Sequence, residues 1–232
     1  MDFNFLNEKV MTGEKQTYLD WIISGAGYTV GVSVTAFVLA LIIGITVGAL
    51  RTTTGLKSKL ANGYFEVVRS IPFLALLFIN FFVLPVTFMP EALKSFDPST
   101  MTLVVGILSL AIFMSARITA QVTAGIQALP PSQAQAAKAL GFSQIQSYSK
   151  FLIPQALRNI MPSLSSEAMN TVKNSAVVST IGLMDLTKQA QSIIDYTAKP
   201  LEAFTCIVLG YLIINMAVLA VMKFIEMKTR IV

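Results

Sequence analysis

The chain has 232 residues, of which 54% are apolar and 12% are charged, and its mean hydropathy of +0.69 excludes an ordinary soluble domain. It has no histidine and a single cysteine, Cys206, which excludes a histidine-based catalytic triad, an HExxH zinc site and an internal disulfide bond. The net charge of +5 requires no nucleic-acid partner, because basic loops beside a membrane account for it.

Residues 1–20 carry charged side chains of both signs and lack the basic start, apolar core and cleavage site of a signal peptide. We therefore expect this segment to stay attached and to lie outside the membrane. The rest of the chain, residues 21–232, is predicted to form one transmembrane domain.

Four charge-free runs are each near or above the ~20 residues that a spanning helix needs. They cover residues 21–50, 70–90, 98–116 and 203–222. A fifth segment, residues 162–184, contains Glu167 and Lys173, so it must face protein or water rather than lipid. The sequence thus predicts an all-α, polytopic membrane protein with about five transmembrane helices.

The first run contains two G-x-x-x-G spacings, Gly27 with Gly31 and Gly44 with Gly48. Small residues at this spacing allow the backbones of two helices to approach closely. We therefore interpret both pairs as helix-packing sites.

The second run is preceded by Arg69, which we expect near the cytoplasmic start of a helix that begins at Tyr64. Pro72 follows and would kink that helix. Arg69 has two possible roles that the pattern does not separate: it either extends to the membrane interface or contacts a substrate.

Arg117 follows the third charge-free run and should lie at membrane depth. An arginine near the bilayer centre costs about 2.5 to 3.5 kcal/mol on insertion scales, so it needs a carboxylate or a wet cavity. Its partner is either Glu167, in an internal ion pair, or a substrate.

Residues 130–162 form a water-compatible insert between apolar segments. Ser132 with Gln135 and Ser143 with Gln146 fit the S-x-x-Q capping box, and Gly141 is the predicted stop between two short helices. Pro154 should bend the second helix. Such helices suit docking into a groove of another protein, although a connecting loop without a partner fits the spacing equally well.

The fifth segment concentrates polar residues at Lys173, Asn174 and Ser175. Polar side chains in a broken span are typical of the midpoints of transporters, where they replace the hydration of the substrate. These three residues are therefore further candidates for substrate binding.

The insert resembles the E-A-A-x3-G-x9-I-x-L-P loop of ATP-binding-cassette (ABC) importer permeases. The residues that carry the resemblance are Gln135, Ala136, Ala137, Gly141, Phe151, Ile153 and Pro154. In that family this loop is the coupling helix that fits into the cytoplasmic ATPase. Gln135 replaces the usual glutamate and Phe151 the usual isoleucine, so a role that depends on the carboxylate is not expected here.

Other stretches resemble the polar amino-acid permeases within that family, and together the matches cover residues 28–222. Arg69 to Pro72 is similar to their R-[GSN]-[TI]-P signature, and residues 173–190 are similar to L-K-[DN]-[TS]-[SA]-L-V-S-x-I-G and the residues after it. Arg117 stands where these permeases often carry an acidic residue. A guanidinium binds a carboxylate through two parallel hydrogen bonds, so this replacement favours an acidic substrate if Arg117 lines the pathway. We therefore place the resemblance closest to the glutamate/aspartate type.

The resemblance implies a second permease subunit, identical or related, two ATPase subunits that hold ATP and Mg²⁺, and a periplasmic substrate-binding protein. The chain has no G-x-x-x-x-G-K-[ST] motif, so it is not itself an enzyme and needs no cofactor of its own. Its site in the membrane also brings it into contact with lipid.

The distribution of Lys and Arg predicts the orientation in the bacterial inner membrane. One side of a five-span topology carries Arg51, Lys57, Lys59, Lys138, Lys150, Arg158, Lys223, Lys228 and Arg230, and the other carries Lys9, Lys15, Lys94, Lys188 and Lys199. The positive-inside rule puts the first set, the docking loop and the C-terminus in the cytoplasm, and the N-terminus in the periplasm.

Three alternatives remain at this point. The chain could be the permease of an importer for glutamine or a basic amino acid, a channel or gradient-driven carrier without an ATPase, or a scaffold that only anchors an ATPase. A neighbouring coding sequence with G-x-x-x-x-G-K-[ST] would favour an importer over a carrier.

Overall fold

The computed structural model describes residues 2–11, 15–88 and 97–229. In chain order the helices are α1 (Tyr18–Arg51), α2 (Leu56–Ser70), α3 (Phe73–Phe78), α4 (Leu84–Phe88), α5 (Pro98–Gln127), α6 (Pro131–Ala139), α7 (Gln144–Ser147), α8 (Ile153–Asn159), α9 (Met161–Ser175), α10 (Leu186–Thr197) and α11 (Pro200–Thr229). Two π-helical turns, Ile79–Val83 and Tyr148–Leu152, join α3 to α4 and α7 to α8, and a 3-10 helix, Ala176–Ile181, extends α9. The predicted all-α class is confirmed, while Lys94 and Arg230, used above for orientation, lie outside the described residues.

Three helices in the described ranges, α1, α5 and α11, are long and apolar enough to cross a membrane, and α2 with the helix after it is a fourth candidate if the two count as one bent span. The predicted fifth segment, α9 with its 3-10 extension, is not among these candidates. Its polar sequence is instead packed in protein through the buried residues Leu164, Ala168 and Val172. The multi-pass membrane fold is therefore confirmed, and the total of five depends on counting one bent and one polar segment.

The second span bends far more sharply than the kink that we expected at Pro72. α2 ends at Ser70, and the chain turns by 102° before the next helix. Pro72 lacks an N–H and its ring disfavours helical backbone at Ile71, whose ψ is 127°. The prediction for Arg69 was wrong, because α2 begins at Leu56 and Arg69 lies in its last turn.

α1 and α5 pack closely and run in the same direction. A Cβ atom at Gly44 would lie 2.6 Å from Ile118 Cγ2, and one at Gly48 would lie 2.7 Å from Val122 Cβ. The second contact lies one turn further along both helices, so the helices are parallel. The packing role predicted for this pair is confirmed. Gly27 and Gly31 contact no other helix within the described chain, since no described atom outside their own helix lies within 4 Å of a Cβ placed at either, and a packing role for this pair stays a prediction.

Replacing Gly44 by valine should destabilise the fold, because the new side chain would overlap Ile118 and force the two helices apart. We expect a loss of about 1 to 3 kcal/mol, the usual cost of overpacking. Thermal unfolding of the detergent-solubilised protein measures it. Gly27→Val is the matched control, and equal melting temperatures for the two variants would contradict the prediction.

The insert folds into two short helical segments, as predicted. The first ends in a Schellman motif, in which Phe142 N donates to Ala137 O at 3.1 Å, Gly141 N donates to Lys138 O at 3.0 Å, and Gly141 has φ +81°. The capping box of Ser143 with Gln146 is confirmed.

One detail of the insert differs from expectation. The box of Ser132 with Gln135 does not form, because the helix starts at Pro131, two residues earlier than this box requires, with Pro130 as its N-cap. The bend expected at Pro154 stays a prediction. The second helix widens into a π turn, Tyr148–Leu152, that ends two residues before this proline, and Pro154 lies in the first turn of α8.

The N-terminal segment packs on the end of the bundle. Phe5 and Val10 form a cluster with Tyr18 of α1, Ile193 of α10 and Ala203 of α11. α1 begins at Tyr18, shortly before the boundary that we predicted at residue 20.

Candidate functional site

Arg117 and Glu167 form a bidentate ion pair between α5 and α9. Arg117 Nε donates to Glu167 Oε2 at 2.7 Å, and one terminal nitrogen donates to Glu167 Oε1 at 3.3 Å. Arg117 lies ten residues before the end of α5, which corresponds to about 15 Å of helix. The internal pair, one of the two partners that the sequence allowed, is therefore present.

The two members of this pair differ in access to solvent. The Glu167 side chain is 6% exposed, whereas that of Arg117 is 47% exposed. Glu167 also accepts a hydrogen bond from Asn170 Nδ2 at 3.3 Å. Both carboxylate oxygens are thus occupied within the chain, while the second terminal nitrogen of Arg117 donates no hydrogen bond to any described residue.

Arg117 and Glu167 line a cavity of about 290 Å³ between α2, α5 and α9. Its wall combines aromatic, small and charged side chains: Phe65, Arg69, Phe113, Ala116, Arg117, Ala120, Gln121 and Glu167. The lining carries two arginines against one glutamate, so the cavity suits a polar ligand with net negative charge.

Arg69 reaches this cavity from the last turn of α2. Its Nε lies 3.4 Å from Glu66 Oε2, and its guanidinium carbon lies 5.1 Å from the centre of the Phe65 ring. Both members of the Arg69–Glu66 pair are more than half exposed, so this contact is weak and leaves Arg69 free to move. The structure therefore brings together three of the six predicted substrate-binding residues, Arg69, Arg117 and Glu167.

The other three do not line the cavity. Lys173 is exposed, whereas Asn174 donates to Asn170 O at 2.8 Å and buried Ser175 donates to Val172 O at 2.8 Å. These two polar groups are satisfied within their own helix. No geometry in the structure supports a joint role for them with Arg117.

Sequence reasoning missed Phe65, Gln121 and Asn170. Helical spacing of three or four residues could have indicated each of them. Phe65 lies four residues before Arg69, and Gln121 lies four residues after Arg117. Asn170 lies three residues after Glu167 on the same face of α9. A search at this spacing around each intramembrane charge would have found all three.

The loop from Pro130 to Pro162 presents a second candidate surface. Gln135 and Ala136 are exposed, Ala137 is buried, and Leu140 and Ile145 are 76% and 78% exposed on either side of Gly141. The rings of Phe142 and Phe151 pack edge-on against each other, with centroids 5.0 Å apart. The loop is therefore internally folded and still exposes two large apolar side chains, as a docking surface should.

Comparison with known proteins agrees with this geometry. Residues 40–231 match the family described as "binding-protein-dependent transport system inner membrane component". The glutamate/aspartate import permease protein GltJ of Escherichia coli K12 is 39% identical over 93% of this chain and 89% of its own length. The probable glutamine ABC transporter permease protein GlnM of Bacillus subtilis is 27% identical over 95% of this chain and 97% of its own length.

A solved structure supports the same assignment. The chain superposes on the crystal structure of an amino acid ABC transporter with histidines, with a TM-score of 0.76 and 29% identity, over 91% of this chain and 95% of that one. The relatives are transport subunits and not enzymes. The chain therefore belongs to the family of inner-membrane components of binding-protein-dependent transport systems.

Proposed function

We propose that the chain is the permease subunit of an ATP-driven importer for glutamate and aspartate. The observation that carries this proposal is the cavity between α2, α5 and α9, in which Arg69 and Arg117 face one space. An acidic amino acid has two carboxylates and one ammonium group. Two arginines match the two carboxylates, and the 39% identity to a glutamate/aspartate import permease supports the same substrate.

Within this proposal Glu167 orients Arg117 and does not itself bind substrate. Its carboxylate oxygens already accept bonds from Arg117 and Asn170. The pair fixes the plane of the guanidinium and leaves its second terminal nitrogen for a substrate carboxylate. The internal ion pair and the contact with substrate, alternatives at the level of the sequence, are thus compatible.

The open side of the cavity implies a second permease subunit. Arg117 is about half exposed at a depth where contact with lipid would be costly. A neighbouring subunit, either an identical copy or a related chain, would cover this side and separate the cavity from lipid. Substrate would then cross at the interface between the two subunits.

The loop from Pro130 to Pro162 is proposed to dock on a cytoplasmic ATPase, with one ATPase for each permease. Exposed Leu140 and Ile145 would enter a groove of that subunit. Gly141, with its positive φ, and Pro154, in the first turn of α8, would hold the backbone conformation of the loop. A periplasmic binding protein would deliver the substrate to the opposite face. This arrangement has the N-terminus in the periplasm and the C-terminus in the cytoplasm, in agreement with the positive-inside rule.

Uptake into proteoliposomes tests the proposal. The vesicles would contain this chain with its co-purified partners, binding protein outside and ATP inside, and labelled glutamate would be offered with unlabelled aspartate, glutamine or arginine as competitor. We expect ATP-dependent uptake that aspartate blocks and arginine does not. ATP-dependent uptake of glutamine would favour the second candidate, a glutamine importer, in line with the name of the Bacillus relative, a probable glutamine ABC transporter permease. Uptake driven only by an ion gradient would favour a carrier.

A further inference from the structure

α2 carries one wall of the cavity and is connected to the rest of the chain through two breaks. Gly55 precedes it with φ +83°, and the turn of 102° at Pro72 follows it. Both Phe65 and Arg69 project from this one helix into the cavity. Any rotation or shift of α2 would therefore move an aromatic wall and a cationic group together.

Arg51, the last residue of α1, holds α2 from outside the cavity. Its Nε donates to Asn62 Oδ1 at 2.9 Å, and its guanidinium carbon lies 3.7 Å from the centre of the Phe65 ring. One terminal nitrogen also donates to Thr123 Oγ1 of α5 at 3.3 Å. A single side chain thus connects α1, α2 and α5 beside the cavity.

The contact with Asn62 is itself fixed in orientation. Asn62 Nδ2 donates to Ser58 O at 2.9 Å, and Ser58 Oγ donates to Arg51 O at 3.2 Å, which closes a ring of hydrogen bonds. Ser58, Asn62, Phe65 and Arg69 follow one another at intervals of four, three and four residues. They lie on one face of α2, so the ring at Ser58 and Asn62 sets the rotation that points Phe65 and Arg69 into the cavity.

We propose that Arg51 is a positioning residue for the substrate site: it fixes the rotation of α2 and thereby the places of Phe65 and Arg69. This inference rests on the proposed function of the cavity. Arg51 does not line the cavity and need not touch the substrate. Its Nε, one terminal nitrogen and one face of the guanidinium are engaged within the chain, so recognition of a lipid headgroup is not its main task.

Transport kinetics of Arg51→Gln test the proposal. We expect the KM for glutamate uptake to rise roughly ten-fold, the effect of about one charged hydrogen bond, with the maximal rate within about two-fold of wild type. Arg51→Lys keeps the charge over Phe65 but not the forked donors, so it should restore part of the affinity. Lys59→Gln, which removes an exposed charge from the same helix, is the matched control and should leave KM unchanged.

A merely structural role for Arg51 would have a different signature, namely a lower yield of assembled complex with an unchanged KM in the complex that does assemble. If Arg69 and Arg117 variants impair glutamate uptake, an unchanged KM in Arg51→Gln would therefore overturn the proposal.

A second measurement is independent of substrate recognition. Ser70 is the last residue of α2, is exposed, and donates only to Glu66 O of its own helix among described residues. In a Cys206→Ala background, the labelling rate of Ser70→Cys by a thiol reagent should change several-fold on adding Arg51→Gln, because α2 loses its fixed rotation. An unchanged rate would overturn the positioning role, even if the cavity bound a different substrate. Conversely, normal glutamate uptake by Arg69 and Arg117 variants, with altered labelling, would reject the cavity as the glutamate site and keep the role of Arg51 in holding α2.

Discussion

Gly141→Val is expected to abolish co-purification of the ATPase while leaving insertion of the chain into the membrane intact. Gly141 has φ +81°, a conformation that a β-branched side chain adopts only with a strain of about 1 to 2 kcal/mol or more. Its N–H and that of Phe142 close the Schellman motif that ends α6. Strain at this position would unwind the end of α6 and displace Leu140 and Ile145, which flank Gly141. Affinity purification of the complex from membranes measures the result.

Two further variants distinguish the effect of the loop's backbone conformation from the effect of its exposed side chains. Asparagine tolerates the left-handed conformation better than valine does, so Gly141→Asn should retain most of the ATPase. Ile145→Glu leaves the backbone unstrained but replaces an apolar side chain that is 78% exposed, and should also lose the ATPase if this surface docks. Normal co-purification with both Gly141→Val and Ile145→Glu would mean that docking occurs elsewhere.

The double variant Arg117→Gln/Glu167→Gln should assemble with its partners and yet lose glutamate uptake by on the order of 100-fold, because about 3 kcal/mol of charged hydrogen bonding to the substrate is removed. Either single substitution would leave one buried or half-buried charge without its partner, at a cost of about 3 to 5 kcal/mol. The double variant avoids that cost, since both glutamines are neutral and can bond to each other. ATP-dependent uptake at a fixed concentration of binding protein measures the effect.

Unimpaired uptake by the double variant would assign a different role to the Arg117–Glu167 pair. Uptake at the wild-type rate, still inhibited by aspartate, would mean that Arg117 and Glu167 form only a structural ion pair. Glu167→Asp is a useful companion, because it keeps the charge but shortens the side chain that orients Arg117. We expect it to raise the KM for glutamate more than it lowers the maximal rate.

The sequence predicted well those features that depend on neighbouring residues, namely the apolar spans and the helix caps. Charge-free runs of about the length of a bilayer span indicated α1, α5 and α11. Gly141 and Ser143 correctly indicated where the first loop helix ends and the second begins, because helix caps depend on a few neighbouring residues. The Gly44–Gly48 spacing likewise indicated a packed face. Gly27 and Gly31 have the same spacing and contact no other helix within the described chain, because spacing indicates that a helix can approach but not which helix does.

The bend in the second span was harder to anticipate. Pro72 made a break expected, but not one of 102°, because the angle depends on where α3 packs after the proline. Once α2 is separated from α3, Arg69 becomes the end of a helix, and its place beside Phe65 follows.

By itself the sequence determined that this is an all-α membrane protein, that Arg117 needs a partner, and that the insert at residues 130–162 has the pattern of a docking loop. These properties follow from hydropathy, from the cost of burying charge and from local capping, all of which act over a few residues. Only the tertiary structure decided that Glu167, fifty residues away in the chain, is that partner, that Arg69 shares its cavity, and that Lys173, Asn174 and Ser175 do not. Contacts between distant segments depend on how helices pack and rotate against each other, and helical spacing alone leaves that rotation undetermined.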